Sequence, residues 1–298
     1  MAKILIVGAG DVGGRLARLL AADGHAVWAL RRHVPEDAGT PDSAHAGVAQ
    51  GAGRLTWLAA DVTRSETLRL PAGLDVVVTA LAPGQSGSYR EIYVEGTRAL
   101  QQALAGQHLC RQFWVSSTSV YGEQAGEWID ETTPATAASD NAVALREAEA
   151  LVTASPWPAS IVRFGGLYGP GRHRLLRLVE SGRPVPVEPP SWSNRLHVED
   201  AAGFLRHLVT CALAGAPLLP CYLGVDDEPS PQHEVLTWLA ARMGLPAPPG
   251  ERRAAGAAQG RRIRNRALRD SGYALRYPDY RAGYAQVLAA RDAAEHGA

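Results

Sequence analysis

The stretch "KILIVGAGDVGGRLARLL", residues 3 to 20, constrains the fold more than any other part of this chain. Residues 3 to 7 are a short apolar run ended by glycine, which reads as a buried strand of a parallel sheet. Val12, Leu16, Leu19 and Leu20 then recur at helical spacing, and Gly24 closes the helix. Between strand and helix, Gly8, Gly10 and Gly13 spell G-x-G-x-x-G. The first glycine permits a tight turn, and the second lets backbone approach a pyrophosphate. The third lets helix pack against strand, and the helix N-terminus faces the anion. Asp11 and Val12, inside the motif, belong to the same contact region. Alone, such a motif is weak; its place between a strand and a helix makes it specific.

The alternation continues. "HAVWAL", "RLTWLAAD", "LDVVVTAL", "RQFWVSS" and "ASIVRFGG" read as further strands, with "YREIYVEGTRALQQALAG" and "SDNAVALREAEALVTA" as helices among them. Strands alternating with helices predict an α/β chain with a doubly wound parallel sheet. After about residue 170 the pattern changes. "GRPVPVEPPSWSN" is too rich in proline for a central strand or a long helix. A helix ("VEDAAGFLRHLVTCALAG") and a strand ("LLPCYLGVD") then return to the main sheet, followed by "SPQHEVLTWLAARMG" and a final helix. "LPAPPGERRAAGAAQG" reads as a mobile loop. The expected organisation is a nucleotide-binding core of residues 1–170, completed by 196–226. A smaller substrate-side cap would hold 171–195 and 227–298.

Thirty basic and thirty acidic residues cancel, so net charge points to neither nucleic acid nor an acidic surface. The basic run "ERRAAGAAQGRRIRNRALR" reads as a solvated face and not a polyanion site. Cys110, Cys211 and Cys221 lack metal-ligand spacing, which fits reduced thiols and no metal. With no signal peptide or membrane-length apolar run, the expectation is a soluble cytoplasmic protein. It would be a monomer or homodimer with a small-molecule substrate. The second strand also predicts which dinucleotide. The acidic residue that binds the adenosine ribose ordinarily ends that strand, roughly 20 residues past the glycines. Here Arg31 and Arg32 stand there, suited to a 2′-phosphate, so NADP(H) is expected in preference to NAD(H).

Ordered motifs along nearly the whole chain resemble the extended, NAD-dependent epimerase/dehydratase-like branch of the short-chain dehydrogenase/reductase superfamily. They are the glycines, "AADVT", "TALAPG", "YVEGTRAL", "SSTSVYG", "RFGGLYGPGR", "NRLHVEDAA", "YLGVDDEP" and "SGYALRYPDYRAGY". The resemblance implies a Rossmann fold with Asp61 and Val62 bordering the adenine. It places Ala80, Leu81 and Ala82 along the ribose and pyrophosphate, and Ser116 and Ser117 under the nicotinamide. Phe164 and Gly165 would lie by the carboxamide. Thr118, Asn141 and Arg195 would meet the substrate, while His197 and Asp200 hold their loop to the core.

One departure stands out. The superfamily carries Tyr-x-x-x-Lys on the helix after the fifth strand, where this chain has "ASDNAVALREAE" with Asn141 and Leu145 in register. No tyrosine lies between Tyr121 and Tyr168, and Lys3 is the only lysine, so no shift of register restores the pair. Asparagine and leucine shuttle no proton. The remaining candidates for catalysis are Ser117 and the phenols Tyr121 and Tyr168. Three functions are then open: an NAD(P)-dependent enzyme with a substituted proton donor, an inactive NADP(H)-binding sensor, and an eliminase or isomerase using the dinucleotide transiently. Asn141 and Leu145, four apart on one helix face, are expected to face the nicotinamide pocket, so the helix is kept for shape and not for proton transfer.

Overall fold

The computed structural model describes residues 1–34, 53–83, 88–122, 125–252 and 259–296, with backbone alone for 294–296. Gly84 of "TALAPG" and residues 253–258 of the arginine-rich segment lie outside the described residues. The elements open with β1 (Lys3–Val7), α1 (Asp11–Ala22), β2 (Ala26–Arg31), β3 (Arg54–Ala59) and β4 (Val76–Thr79). A π-helical stretch, Arg90–Glu95, runs into α2 (Gly96–Ala103), followed by β5 (Arg111–Ser117), β6 (Ala125–Ile129) and α3 (Asp140–Thr153). Next are β7 (Ala159–Phe164), β8 (Gly166–Tyr168), α4 (Arg174–Glu180), β9 (Val185–Glu188), β10 (Trp192–Ser193), β11 (Arg195–His197) and α5 (Val198–Leu213). The chain closes with β12 (Cys221–Gly224), β13 (Ser230–Pro231), α6 (Gln232–Arg242), β14 (Gly250–Arg252), β15 (Gly260–Ile263), α7 (Arg266–Asp270) and α8 (Tyr280–His296).

Seven strands form one parallel sheet in the order β12-β7-β5-β4-β1-β2-β3, a Rossmann fold. The strands are apolar runs because the sheet interior has no wet face: Ile4 to Val7 and Val76 to Val78 are wholly buried. The chain winds outward from β1 through β2 and β3, then crosses back to lay β4 on the other side of β1. That reversal opens a crevice beyond the carboxyl ends of β1 and β4, where such sheets take their ligands.

The chain divides into two compact units, 1–120 with 137–163 and 202–222, and 121–136 with 164–201 and 223–298. Residues 121–136, 164–170, 196–201 and 223–226, expected in the core, therefore fall in the second unit. The cause is local pairing within that unit: β6 pairs with β15, and β8 with β11. In the first unit Leu5, Val7, Leu30, Val62, Val77, Leu100 and Leu104 share one apolar cluster. In the second, Leu176, Val185, Val235, Leu236 and Leu239 pack with Tyr168, Tyr280 and Tyr284. The proline-rich stretch supplies two short strands, β9 paired with β14 and β10 paired with β13, each in a two-stranded sheet. Among the described residues no helix is long and apolar enough to cross a membrane.

Candidate dinucleotide site and the buried polar centres

A cleft of about 210 Å³ opens beyond β1 and β4 in the first unit. Gly8, Gly10, Arg31, Arg32, Asp61, Val62, Ala80, Leu81 and Ala82, all singled out in the sequence, line it. Leu30, His33, Ala60, Thr63 and Ile92 join them unforeseen. The glycine turn has the form that the motif's chemistry needs. Gly8 has φ +87°, and the amides of Gly8 and Ala9 both donate to the Leu30 carbonyl (3.0 and 2.9 Å). A Cβ on Gly8 would lie 2.5 Å from the Ala80 carbonyl oxygen, so only glycine lets the turn pass so close to β4. A Cβ on Gly13 would lie 2.5 Å from the Gly8 carbonyl oxygen, which accounts for the close seat of α1 against the turn. Gly10 differs: a Cβ there would meet nothing within 4 Å. That open space lies before the N-terminus of α1, whose cap has no side-chain hydrogen bond. The first-turn amides are thus presented to an anion. Asp11 is exposed and paired with Arg15 at 2.8 Å, and Val12 is buried.

The mouth of the cleft is basic at the end of β2, with half-buried Arg31 followed by exposed Arg32 and His33. Among the described residues Asp61 is its one lining carboxylate. Burial would raise the Asp61 carboxyl, but the Thr63 amide (3.0 Å) and hydroxyl (2.8 Å) donate to it, and Arg32 and Arg64 stand nearby. Together these hold it below its ordinary value. The cleft therefore offers glycine backbone and a helix end for a pyrophosphate, two guanidiniums for a further phosphate, and a fixed acceptor at Asp61. These residues fit a dinucleotide.

The strand ends toward the expected nicotinamide side are engaged differently. Ser116 is buried and donates to Glu149 Oε1 at 2.5 Å, and Glu149 also accepts Arg163 Nε (3.0 Å) and Nη2 (2.6 Å). The Ser116 hydroxyl is thereby tied to a structural ion pair. Ser117 is half-buried and accepts the Ser119 amide at 3.1 Å, which leaves its proton available to donate. Thr118 is half-buried beside it in the chain. In α3, capped by Ser139 accepting the Ala142 amide, Ala142, Leu145, Ala148, Glu149 and Val152 form the buried face. Asn141 is exposed.

In the second unit, Tyr121 is fully buried and its hydroxyl donates to the Asp130 carbonyl at 3.5 Å. Tyr168 is buried as well. It stacks on Tyr284 at 4.5 Å, donates to the Asp279 carbonyl at 3.3 Å, and its phenol is pushed far up by burial and by Asp226. A phenol so raised is a weaker acid than a free one. Phe164 is buried against Gly224, and the Gly165 amide donates to the Gly224 carbonyl at 3.0 Å. Asp200 accepts the Tyr273 hydroxyl (2.9 Å) and the amides of Arg276 (2.8 Å) and Tyr277 (2.9 Å). It thereby anchors the segment leading into α8. His197 is wholly buried, its Nδ1 accepting the Glu199 amide at 3.3 Å. Arg195 is 4% exposed; its Nη2 donates to Ser193 Oγ, and its guanidinium lies 5.4 Å over the Tyr280 ring. Asp226 was not singled out from the sequence. It is 1% exposed, and burial pushes its carboxyl up to about 8 in spite of Arg195. The only signal was an acidic pair closing a strand in "YLGVDDEP".

A Rossmann sheet with this glycine-lined cleft at its reversal defines a dinucleotide-binding α/β protein. Residues 8–197 match the NAD(P)H-binding family, and the chain belongs to it. A Streptomyces sp. protein named 3-diazoavenalumate denitrifying reductase is 29% identical over 262 residues, covering 83% of this chain and 83% of that protein. Protein YeeZ of Escherichia coli K12 is 28% identical over 284 residues, covering 94% and 97%. The solved structure of a putative NAD-dependent epimerase/dehydratase from Methylobacillus flagellatus is 37% identical with a TM-score of 0.77, covering 98% of this chain and 99% of that one. The fold is that of the extended short-chain dehydrogenases/reductases.

Proposed function

We propose that this chain is a cytoplasmic, NADP(H)-preferring reductase of a small molecule whose reduction needs no protein phenol as proton donor. The observation that carries the cofactor half is the pairing of Arg31 and Arg32 with the dinucleotide cleft at the end of β2. In this reading Gly10 and the first turn of α1 take the pyrophosphate, Arg31 and Arg32 the 2′-phosphate, and Asp61 and Val62 the adenine. NADPH and NADH titrated into the wild type and an Arg31→Ala/Arg32→Ala variant test it. The expected result is tighter NADPH binding by the wild type, reduced about tenfold or more by the double substitution. Equal or tighter NADH binding by the wild type sinks the preference.

The substrate half follows from what the chain lacks. A bound nicotinamide supplies a hydride. The tyrosine and lysine that would complete a carbonyl reduction are absent, and Tyr121 and Tyr168 are buried and bonded to backbone. Ser117 can donate a hydrogen bond to orient an acceptor, but an alcohol is no proton reservoir near pH 7. An acceptor that is already cationic removes the difficulty. The Streptomyces relative is, by its name, a reductase that takes nitrogen from a diazo compound. Replacing a diazonium group by hydrogen consumes one hydride, releases N2 and calls for no proton. We therefore read the substrate as a strong hydride acceptor of that kind. NADPH oxidation would be followed with arenediazonium, iminium, enone and ketone panels against enzyme-free controls. Turnover of cationic acceptors and none of simple ketones is expected. Tight NADPH binding with no turnover of any panel member would replace this reading with that of a sensor.

A further inference from the structure

We propose that Arg195 and Asp226 of the second unit form a buried receptor for a singly charged carboxylate, in which Asp226 binds as the neutral acid. The proposal goes beyond the dinucleotide reading and stands on the second unit alone.

The pair is placed by backbone. β11 runs parallel to β8 with Arg195 opposite Gly166, and the Asp226 amide donates to the Arg195 carbonyl at 2.7 Å. The Arg195 guanidinium is close enough for its charge to act on the Asp226 carboxyl. They nevertheless form no ion pair. Arg195 Nη1 and Asp226 Oδ2 are both buried, and neither has a partner among the described residues. Every other polar arm of the two side chains for which a bond is recorded is directed elsewhere: Arg195 Nη2 to Ser193 Oγ, and Asp226 Oδ1 to the Glu228 amide at 3.3 Å. Leaving a guanidinium nitrogen and a carboxyl oxygen unpaired in the interior is costly, and proteins fill such places with a bonded group.

The charge balance identifies the group. Facing Asp226 are the guanidinium of Arg195, the acids Asp227 and Glu228 on its own turn, and the phenols of Tyr168 and Tyr284. Burial and those acids favour the protonated carboxyl, which the direction of its pKa bears out. With Asp226 neutral, the centre holds one guanidinium charge and presents two donors, Nη1–H and Oδ2–H. A carboxylate offers two acceptor oxygens and one negative charge, and so satisfies both donors and the charge together. A phosphate dianion would leave one negative charge uncompensated in the interior. Ionising Asp226 would set two carboxylates side by side and expel the ligand.

The test is calorimetric titration of the cofactor-free full chain with benzoate from pH 6.5 to 9.5, in buffers of differing protonation enthalpy. Saturable binding is expected, strongest below about pH 8 and falling about tenfold per pH unit above it, with proton uptake where the affinity falls. Asp226→Asn should keep the affinity found at pH 7 and lose the pH dependence, since an amide preserves a donor without a titrating proton. Arg195→Gln should abolish binding. If that variant fails to fold, the wild-type profile and Asp226→Asn decide alone. The proposal is overturned by an absence of saturable binding, by a flat wild-type profile, or by an Asp226→Asn profile that still falls with pH. Inorganic phosphate binding as tightly as benzoate would overturn the choice of a singly charged ligand. No arm requires NADPH or turnover, so failure of the reductase reading leaves this result intact.

Discussion

The cleft beyond β1 is walled mainly by backbone and short side chains, whereas the Arg195–Asp226 centre consists of two ionisable side chains sealed in the second unit. The cleft holds its basic groups at the mouth, where water screens them, and its interior is dictated by glycine. The centre holds a guanidinium at 4% exposure and an acid at 1%, where no such screening applies. A site built from backbone depends on the few positions where a Cβ cannot fit. A site built from buried charges depends on protonation.

The largest expected effect lies within the cleft and separates two glycines of one motif. Gly8 combines φ +87° with a backbone carbonyl 2.5 Å from where a Cβ would sit. Gly8→Ala carries a conformational cost of about 1–2 kcal/mol plus an overpacking cost of similar size, so about 3 kcal/mol of stability should be lost. Gly10→Ala points its methyl into open space and should change stability by under about 1 kcal/mol. Its methyl should instead occupy the path of the pyrophosphate and weaken NADPH binding at least about tenfold. Thermal melts and cofactor titrations of the two variants would show it. Equal melting temperatures would break the distinction between a glycine kept for the fold and one kept for the ligand.

This difference also decides what could be read in advance. The cleft was legible because the strand, the turn and the helix are contiguous in sequence, and the glycines mark where backbone must come close. Even there, Ile92 arrived unannounced, because the π-helical stretch that carries it follows a different spacing. The seven strands were legible as apolar runs. The pairs β8–β11, β9–β14 and β6–β15 were not, since strands of three to five residues have too little periodicity to register. Tyr121 and Tyr168 could not be told from free phenols in the sequence, which does not show that both are buried and bonded to carbonyls. The tie of Ser116 to Glu149 was hidden for the same reason, being made across 33 residues. Asp226 is the clearest case: an acid in a polar-looking turn gives no sign that Arg195 lies beside it.

The next effect sharpens the comparison through pH. The Asp226 carboxyl ordinarily titrates at 3.8 and is pushed up to about 8 in the folded chain by burial. Between those values the folded chain keeps a proton that the unfolded chain has released. Its contribution to stability therefore falls as pH rises from about 4 to about 8, and levels off above. Asp226→Asn removes the titrating group, so the variant should melt above the wild type at pH 8 by more than it does at pH 5. Asp61 of the cleft acts the other way: it is held low, so its contribution is lost at the acid end instead. Melting curves at pH 5 and 8 that move in parallel for the two proteins would remove the reason for treating Asp226 as a neutral acid.

The smallest expected effect concerns α3, where the superfamily keeps its proton-transfer pair. Asn141 is exposed in the first turn of the helix, while Leu145 is 2% exposed and packs on the buried face with Ala142, Ala148 and Val152. The helix is held by its Ser139 cap and by Glu149, and neither depends on Asn141. Asn141→Ala should change stability by no more than about 0.5 kcal/mol, as exposed substitutions do. If the reaction needs no proton from this helix, the variant should also retain its rate within about threefold on a cationic acceptor. Leu145→Ala, by contrast, should cost about 2 kcal/mol through the cavity it leaves. Loss of turnover in Asn141→Ala, with NADPH binding and melting temperature unchanged, would return the helix to the chemistry. It would also make the amide, and not the acceptor's own charge, the substitute for the missing phenol.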